Sequence, residues 1–225
     1  MEDMEIISLW KSYAKKLDES LLLNRKNAED ITKMKVGSFL ASMRPLKIFT
    51  ILVGILWVVF VDVLIINLFH IASPFFLISA GIQVFLTKLA IGIYLYQLIL
   101  IYQVDITEPI LATQNKLARL KSSTLWVTRL LFLQLPVWTT FYWTKGMVEN
   151  GNFFLILFQV AITLLFVLAS IWLYWNIKYE NRHKKWFRLI FDGKEWTPVI
   201  KSIELLNQIE EYRIESTSPA KNNGD

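Results

Sequence analysis

The chain has no cysteine, and this absence excludes several kinds of site at once. Without thiols there is no disulfide, no thiolate metal site and no lipidated cysteine. Histidine is almost as scarce, since His70 and His183 are the two present. The sequence also has no glycine-rich phosphate loop, no paired-carboxylate motif and no nucleophile elbow. We therefore expect a protein that is not an enzyme and that needs no cofactor and no metal.

The most prominent feature of the sequence is its long stretches of uncharged, apolar residues. Hydrophobic residues make up 54% of the 225 residues, and the mean hydropathy is +0.41. Four apolar blocks are each long enough to cross a bilayer, which takes about 20 residues. The blocks are residues 46–69, 75–104, 125–143 and 153–177. The sequence predicts an all-α, polytopic membrane protein with four transmembrane helices arranged as two hairpins, and Pro136 predicts a kink in the third.

The distribution of Lys and Arg predicts the orientation. Segments 1–47, 105–129 and 178–225 together carry 22 of them, whereas the two turns between the blocks carry one, Lys145. By the positive-inside rule both termini and the central loop are cytoplasmic, and both hairpins turn on the outside of the cytoplasmic (inner) membrane. The formal charge of +5 then reflects topology and attraction to anionic lipid head groups rather than a nucleic-acid surface.

The remaining segments are predicted to form helices outside the membrane. Residues 1–45 form an N-terminal helical segment, 105–124 a stalk that continues the second block, and 178–214 a juxtamembrane stretch with a closing helix. The tail, 215–225, is expected to be disordered. The first segment carries an apolar stripe at steps of three and four residues, made of Ile6, Leu9, Trp10, Tyr13, Leu17 and Leu21. We expect this stripe to pack on the protein's own cytoplasmic helices, because it would otherwise stay exposed.

A lysine in the second block raises the question of a buried site. Lys88 lies about 10 Å from the inner edge of a 30 Å core, and Asp62 lies about 10 Å further out along the axis. Gln134 and Thr163 lie near the level of Lys88, and Gln159 near that of Asp62. These five residues predict a polar seam inside the bundle. Lys88 pairs there with Asp62 or with Gln134, snorkels to the head groups, or lines an ion or substrate path.

Three segments outside the blocks carry a resemblance to a known family. They are LWKSYAKKLDESLLLN near the N-terminus, VDITEPILATQNKLARLK in the central loop and IKSIELLNQIEEY in the closing helix. Together they resemble a family of four-helix integral membrane proteins from Gram-negative bacteria. That family has no established activity, so the resemblance implies the fold and a bacterial inner membrane but assigns no functional residue.

The function expected from these patterns is binding rather than chemistry. About half of the chain is predicted to be cytoplasmic and helical, and almost nothing projects outside. We therefore expect a protein that presents a cytoplasmic helical surface to a protein partner, in regulation or assembly. The alternative is a small transporter or channel-like subunit that uses Asp62 and Lys88.

Overall fold

The computed structural model describes residues 2–104, 108, 110–150, 152–191, 193 and 196–217. Every regular element among these residues is a helix, and no strand occurs among them, so the predicted all-α class is confirmed. The helices are α1 (Glu2–Leu68), α2 (Pro74–Tyr102), α3 (Ile110–Phe132), α4 (Leu135–Thr140), α5 (Lys145–Asn150), α6 (Phe153–Asn176), α7 (Lys185–Phe191) and α8 (Thr197–Thr217), with a single 3-10 turn at Tyr179–Asn181. Helix α8 therefore includes the first residues of the predicted tail, and residues 218–225 lie outside the described part of the chain.

Three helices, α1, α2 and α6, are long and apolar enough to cross a membrane. They contain the first, second and fourth predicted blocks. Helix α6 is the least covered of the three, because only 6% of its most apolar window is buried inside the protein. Its surface is therefore suited to an apolar surrounding rather than to water.

The third predicted block is not one helix. Helix α3 ends at Phe132 and α4 begins at Leu135, just before Pro136. Proline has no N–H to donate to the preceding turn, and its ring crowds the carbonyl four residues earlier, so an interior proline kinks or breaks a helix. The backbone tightens instead, with the Gln134 N–H bonded to the Leu131 carbonyl at 3.2 Å. The kink expected from Pro136 is thus a break between two helices.

Helix α1 runs without interruption over 67 residues, about 100 Å at 1.5 Å per residue. It contains Pro45 in its interior, at the point where the first apolar block begins. The N-terminal segment and the first block are therefore one continuous helix, and the direction of the membrane half fixes the direction of the other.

The predicted stalk does not continue the second block. Helix α2 ends at Tyr102, and α3 packs back against it. The Lys116 ammonium stabilises the connection between α2 and α3, because it donates to the carbonyl of Gln103 and to the Glu108 carboxylate. Residues 105–107 and 109 of the predicted stalk lie outside the described residues. Residues 110–124 form the first part of α3 and lie beside α2 rather than beyond it.

A buried apolar cluster joins α1, α2, α3 and α8 at the end of the molecule away from the α1–α2 turn. Its members are Val36, Leu40, Met43, Leu100, Ile101, Leu117, Leu120, Val199 and Leu206. We call this the polar end of the molecule, since most of the charged residues of α1 and α8 flank it, and the opposite end the turn end. Between the two ends α1 and α2 are in close contact at Gly54, where an added Cβ would lie 3.1 Å from the Ile91 side chain.

Candidate functional site

Asp62 and Lys88 form a direct ion pair, with 3.0 Å between Lys88 Nζ and Asp62 Oδ2. The axial separation of about 10 Å expected from sequence was misleading, because side chains lean toward the N-terminus of their own helix. Helices α1 and α2 run antiparallel, so the Asp62 carboxylate leans toward the polar end and the Lys88 ammonium toward the turn end, and the two meet. Both side chains are well exposed, at 40% and 55%. The pair therefore lies on the outside of the bundle.

The other three predicted residues bond elsewhere. Gln134 Nε2 donates to Thr87 Oγ1 at 3.3 Å, so its partner is the neighbour of Lys88 and not Lys88 itself. Gln159 Nε2 donates to the Thr139 carbonyl at 2.7 Å and ties α6 to α4. Thr163 Oγ1 donates to the carbonyl of Gln159 within α6. The structure thus separates the five residues into an outer ion pair, an α2–α4 contact made by Gln134, an α4–α6 contact made by Gln159, and a bond of Thr163 within α6.

A buried polar row on α2 was missed by sequence reasoning. Ser79, Gln83 and Thr87 recur every four residues and so share one face of the helix, and Ser79 and Gln83 are buried. Ser79 and Thr140 share a hydroxyl hydrogen bond of 2.8 Å across to α4, and Gln134 reaches Thr87 as above. The four-residue spacing was visible in the sequence. This row, rather than the predicted seam, is the polar contact between α2 and α4.

A second missed feature is a buried lysine at the polar end. Lys47 has 0% exposure, and its ammonium lies 4.3 Å from the centre of the Tyr94 ring. Arg44, one turn earlier on α1, lies 4.3 Å over the Tyr102 ring. Cations over aromatic faces are attracted by the ring quadrupole, most strongly where water is excluded. These contacts join α1 to α2. They could not be read from the sequence, because a lysine at the start of a span looks like an interface residue.

The apolar stripe near the N-terminus is also uncovered. All side chains of residues 5–24 are exposed, and the six stripe residues are between 51% and 73% exposed. Self-packing of this stripe was expected, and the structure contradicts it. Helix α8 lies beside a later part of α1, where Leu205 and Ile209 share a pocket with Ala28.

Helix geometry explains why the stripe stays open. At 3.6 residues per turn the stripe points roughly 120° away from the face of α1 that carries Val36, Leu40 and Met43. That face packs on α8 and α2. Because α1 is one continuous helix, its N-terminal half cannot rotate relative to the other half. The stripe and the face that carries Val36 therefore cannot pack against the same neighbours. Within the described residues, the stripe therefore has no partner.

Ionisable groups that could hold a metal do not cluster within the described residues, where no group of three or more His, Asp or Glu side chains comes together. His70 follows the end of α1 and packs edge-on against Phe69, with ring centres 5.4 Å apart. His183 lies between the 3-10 turn and α7, in a different part of the chain. The two histidines take part in no common site.

No family model, no curated protein and no solved structure matches the chain. The family resemblance of the three sequence segments therefore stays a prediction, and function has to be argued from the surfaces described above.

Proposed function

We propose that the chain is a multi-pass protein of the cytoplasmic membrane with four spans and with both termini inside. Helices α1, α2 and α6 supply three spans, and the end of α3 together with α4 supplies the fourth. A break at membrane depth is tolerated where the freed backbone groups bond within the protein, as the Gln134 N–H does. The basic residues, 22 on one side against one on the other, support the orientation.

Reporter fusions at residues 72, 112, 149 and 225 test this topology. A reporter that works only in the cytoplasm should be active at 112 and 225 and inactive at 72 and 149. Activity at 72, or its loss at 112 or 225, would contradict the topology.

The proposed role is to hold a rigid helix in the cytoplasm for recognition by a protein partner, in regulation or assembly. The observation that carries the proposal is the exposed stripe on an uninterrupted membrane helix. Contiguous exposed apolar patches on a folded protein mark interaction sites. Full burial of a Leu, Ile or Trp side chain stabilises a complex by about 1.5 to 3 kcal/mol before the costs of association, so part of the stripe suffices for binding.

The membrane is a poor occupant for this stripe. Its residues lie about 38 to 60 Å along the helix from the start of the first span at residue 46, at 1.5 Å per residue. A helix that leaves the bilayer steeply holds them out of reach of its own lipid. Residues 5–23 carry three lysines and three acidic residues, so the charge of this segment favours neither an acidic nor a basic partner. The occupant we propose is an apolar groove of another cytoplasmic protein, which takes one helix face.

Photo-crosslinking in native membranes tests the role. A photoreactive residue at Tyr13 lies within the stripe, whereas one at Lys15 lies about 160° around the same turn and serves as the control. We expect a discrete adduct with a second protein from position 13 and none from position 15. Equal adducts from both positions, no adduct from either, or an adduct of the chain with itself would each contradict the proposal.

A small transporter or channel-like subunit is the second candidate, and the Asp62–Lys88 pair is the observation that favours it. An ion pair among apolar side chains on a spanning helix is unusual enough to suggest function. The two charges neutralise each other on the outside of the bundle, so a path would have to lie between copies of the chain. Liposomes that hold wild-type protein or Lys88→Met distinguish the two candidates, because a stable variant without flux would favour transport.

A further inference from the structure

A groove of about 550 Å³ lies between α2 and α3 on the outer surface of the bundle. Lys88, Gly92 and Tyr96 lie along its α2 wall, and Arg119, Ser122 and Trp126 along its α3 wall. The spacings of three and four residues place each set on one helix face. Since the helices run antiparallel, Tyr96 faces the Arg119 end of the groove and Lys88 faces the Trp126 end.

One end of the groove is rich in hydrogen-bond donors. The Arg119 guanidinium and the hydroxyls of Ser122 and Tyr96 are exposed and bond to no other described residue. Ser123, beside them, already donates to the Leu120 carbonyl at 3.0 Å. No Asp or Glu among the described residues lines the groove. Three free donors, one of them a cation, suit a phosphate group, because guanidinium matches phosphate oxygens in pairs.

The other end of the groove is apolar. Leu89 and Ile93 line it on α2, and Trp126, which is 51% exposed, lines it on α3. Lys88 also reaches this end, but its charge is neutralised by Asp62. An occupant that fills the whole groove therefore needs a phosphate at one end and a hydrocarbon chain at the other.

The depth of the donor end fits the head-group layer. Tyr96 lies eight residues, or about 12 Å, along α2 from Lys88 toward the polar end, which is close to the inner edge of a 30 Å core. This step uses the proposed topology but not the proposed docking role of the N-terminal stripe.

We infer that the groove between α2 and α3 binds one anionic phospholipid. Its phosphate bonds to Arg119, Ser122 and Tyr96, and an acyl chain lies along Leu89, Ile93 and Trp126. Basic pockets between spanning helices at the cytoplasmic side bind anionic head groups in this way. A bound lipid covers apolar surface of both helices and stabilises their contact.

Native mass spectrometry of the full chain in mild detergent tests this inference, with phosphatidylglycerol and phosphatidylcholine as the two lipid probes. Wild-type protein should retain one phosphatidylglycerol, and Arg119→Gln should bind it roughly tenfold more weakly, because a charge-assisted bond is lost. Lys121→Gln removes the same charge from α3 but outside the groove, and it should bind like wild type. Equal retention of both lipids, or equal binding by Arg119→Gln, would overturn the inference.

A steric variant tests the place of the acyl chain. A Cβ added at Gly92 meets nothing within 4 Å, so Gly92→Leu puts a side chain into the groove without disturbing the fold. Gly81 on the same helix is equally open and lies outside the groove, which makes Gly81→Leu the control. We expect lipid loss in Gly92→Leu alone. Retention by Gly92→Leu, or displacement of the lipid by inorganic phosphate at matched concentration, would contradict a lipid site, the second result indicating a soluble phosphate ligand.

Discussion

The two halves of α1 have similar apolar periodicity and opposite surroundings. In the half nearer the membrane Val36, Leu40 and Met43 are at most 1% exposed, and they pack against α2, α3 and α8. In the N-terminal half Tyr13 and Leu17 are 66% and 61% exposed. Since both halves belong to one continuous helix, the difference comes from which neighbours are present and not from helix formation. An amphipathic pattern shows that a face is to be covered, but not that the same chain covers it.

The largest expected effect comes from truncating the same residue type in each half. Leu40→Ala should lower the free energy of unfolding by about 2 to 5 kcal/mol, because it leaves a cavity in a closed cluster. Leu17→Ala should change it by no more than about 0.5 kcal/mol, because the side chain has no partner to lose. Thermal unfolding of both variants in one detergent checks the comparison. A Leu17→Ala loss as large as that of Leu40→Ala would show that the stripe is covered.

The Asp62–Lys88 pair adds a third case to this comparison, because its two side chains are exposed, like the stripe, but bond to each other within the chain. Lys88→Glu sets two carboxylates side by side and should cost about 1 to 3 kcal/mol, because each then lacks a charged donor. Lys88→Met should cost less, since an apolar residue can replace an imperfectly solvated charge. Thermal stability in one detergent checks this order, and the charge swap Asp62→Lys with Lys88→Glu should recover most of the loss. An undiminished loss in the swap would mean that the two side chains do not meet.

Two glycines of α1 give effects of opposite sign, and one of the two is the smallest change expected. Gly54→Leu should destabilise by about 1 to 3 kcal/mol, because the new side chain collides with Ile91 on α2. Gly37→Ala meets nothing within 4 Å and should stabilise by about 0.5 to 1 kcal/mol through helix propensity. The melting temperatures of the two variants, measured together, check both signs. Equal shifts would mean that α1 and α2 do not cross at residue 54.

Much of the fold followed from the sequence, because helix formation depends on local pattern. The all-helical class, three apolar helices and the interruption at Pro136 were predictable for this reason. The Asp62–Lys88 pair was one of several alternatives that the sequence left open, because axial distance alone ignores the direction in which side chains lean. The burial of Lys47 under Tyr94 was missed because it depends on how closely α1 and α2 approach, which no single segment encodes. The open stripe was missed for the same reason, as periodicity does not tell where α8 lies.

The absence of cysteine permits the most direct test of the account, since any cysteine introduced is the only thiol in the chain. Single cysteines at Tyr13 and Leu17 sample the stripe, Lys15 samples the opposite face, and Leu40 samples the buried half. In purified protein a maleimide should label positions 13, 15 and 17 rapidly and position 40 slowly. In native membranes positions 13 and 17 should become protected while position 15 stays reactive, because a partner covers one face. Protection of 13 and 17 in the purified chain, or their full reactivity in native membranes, would contradict the account.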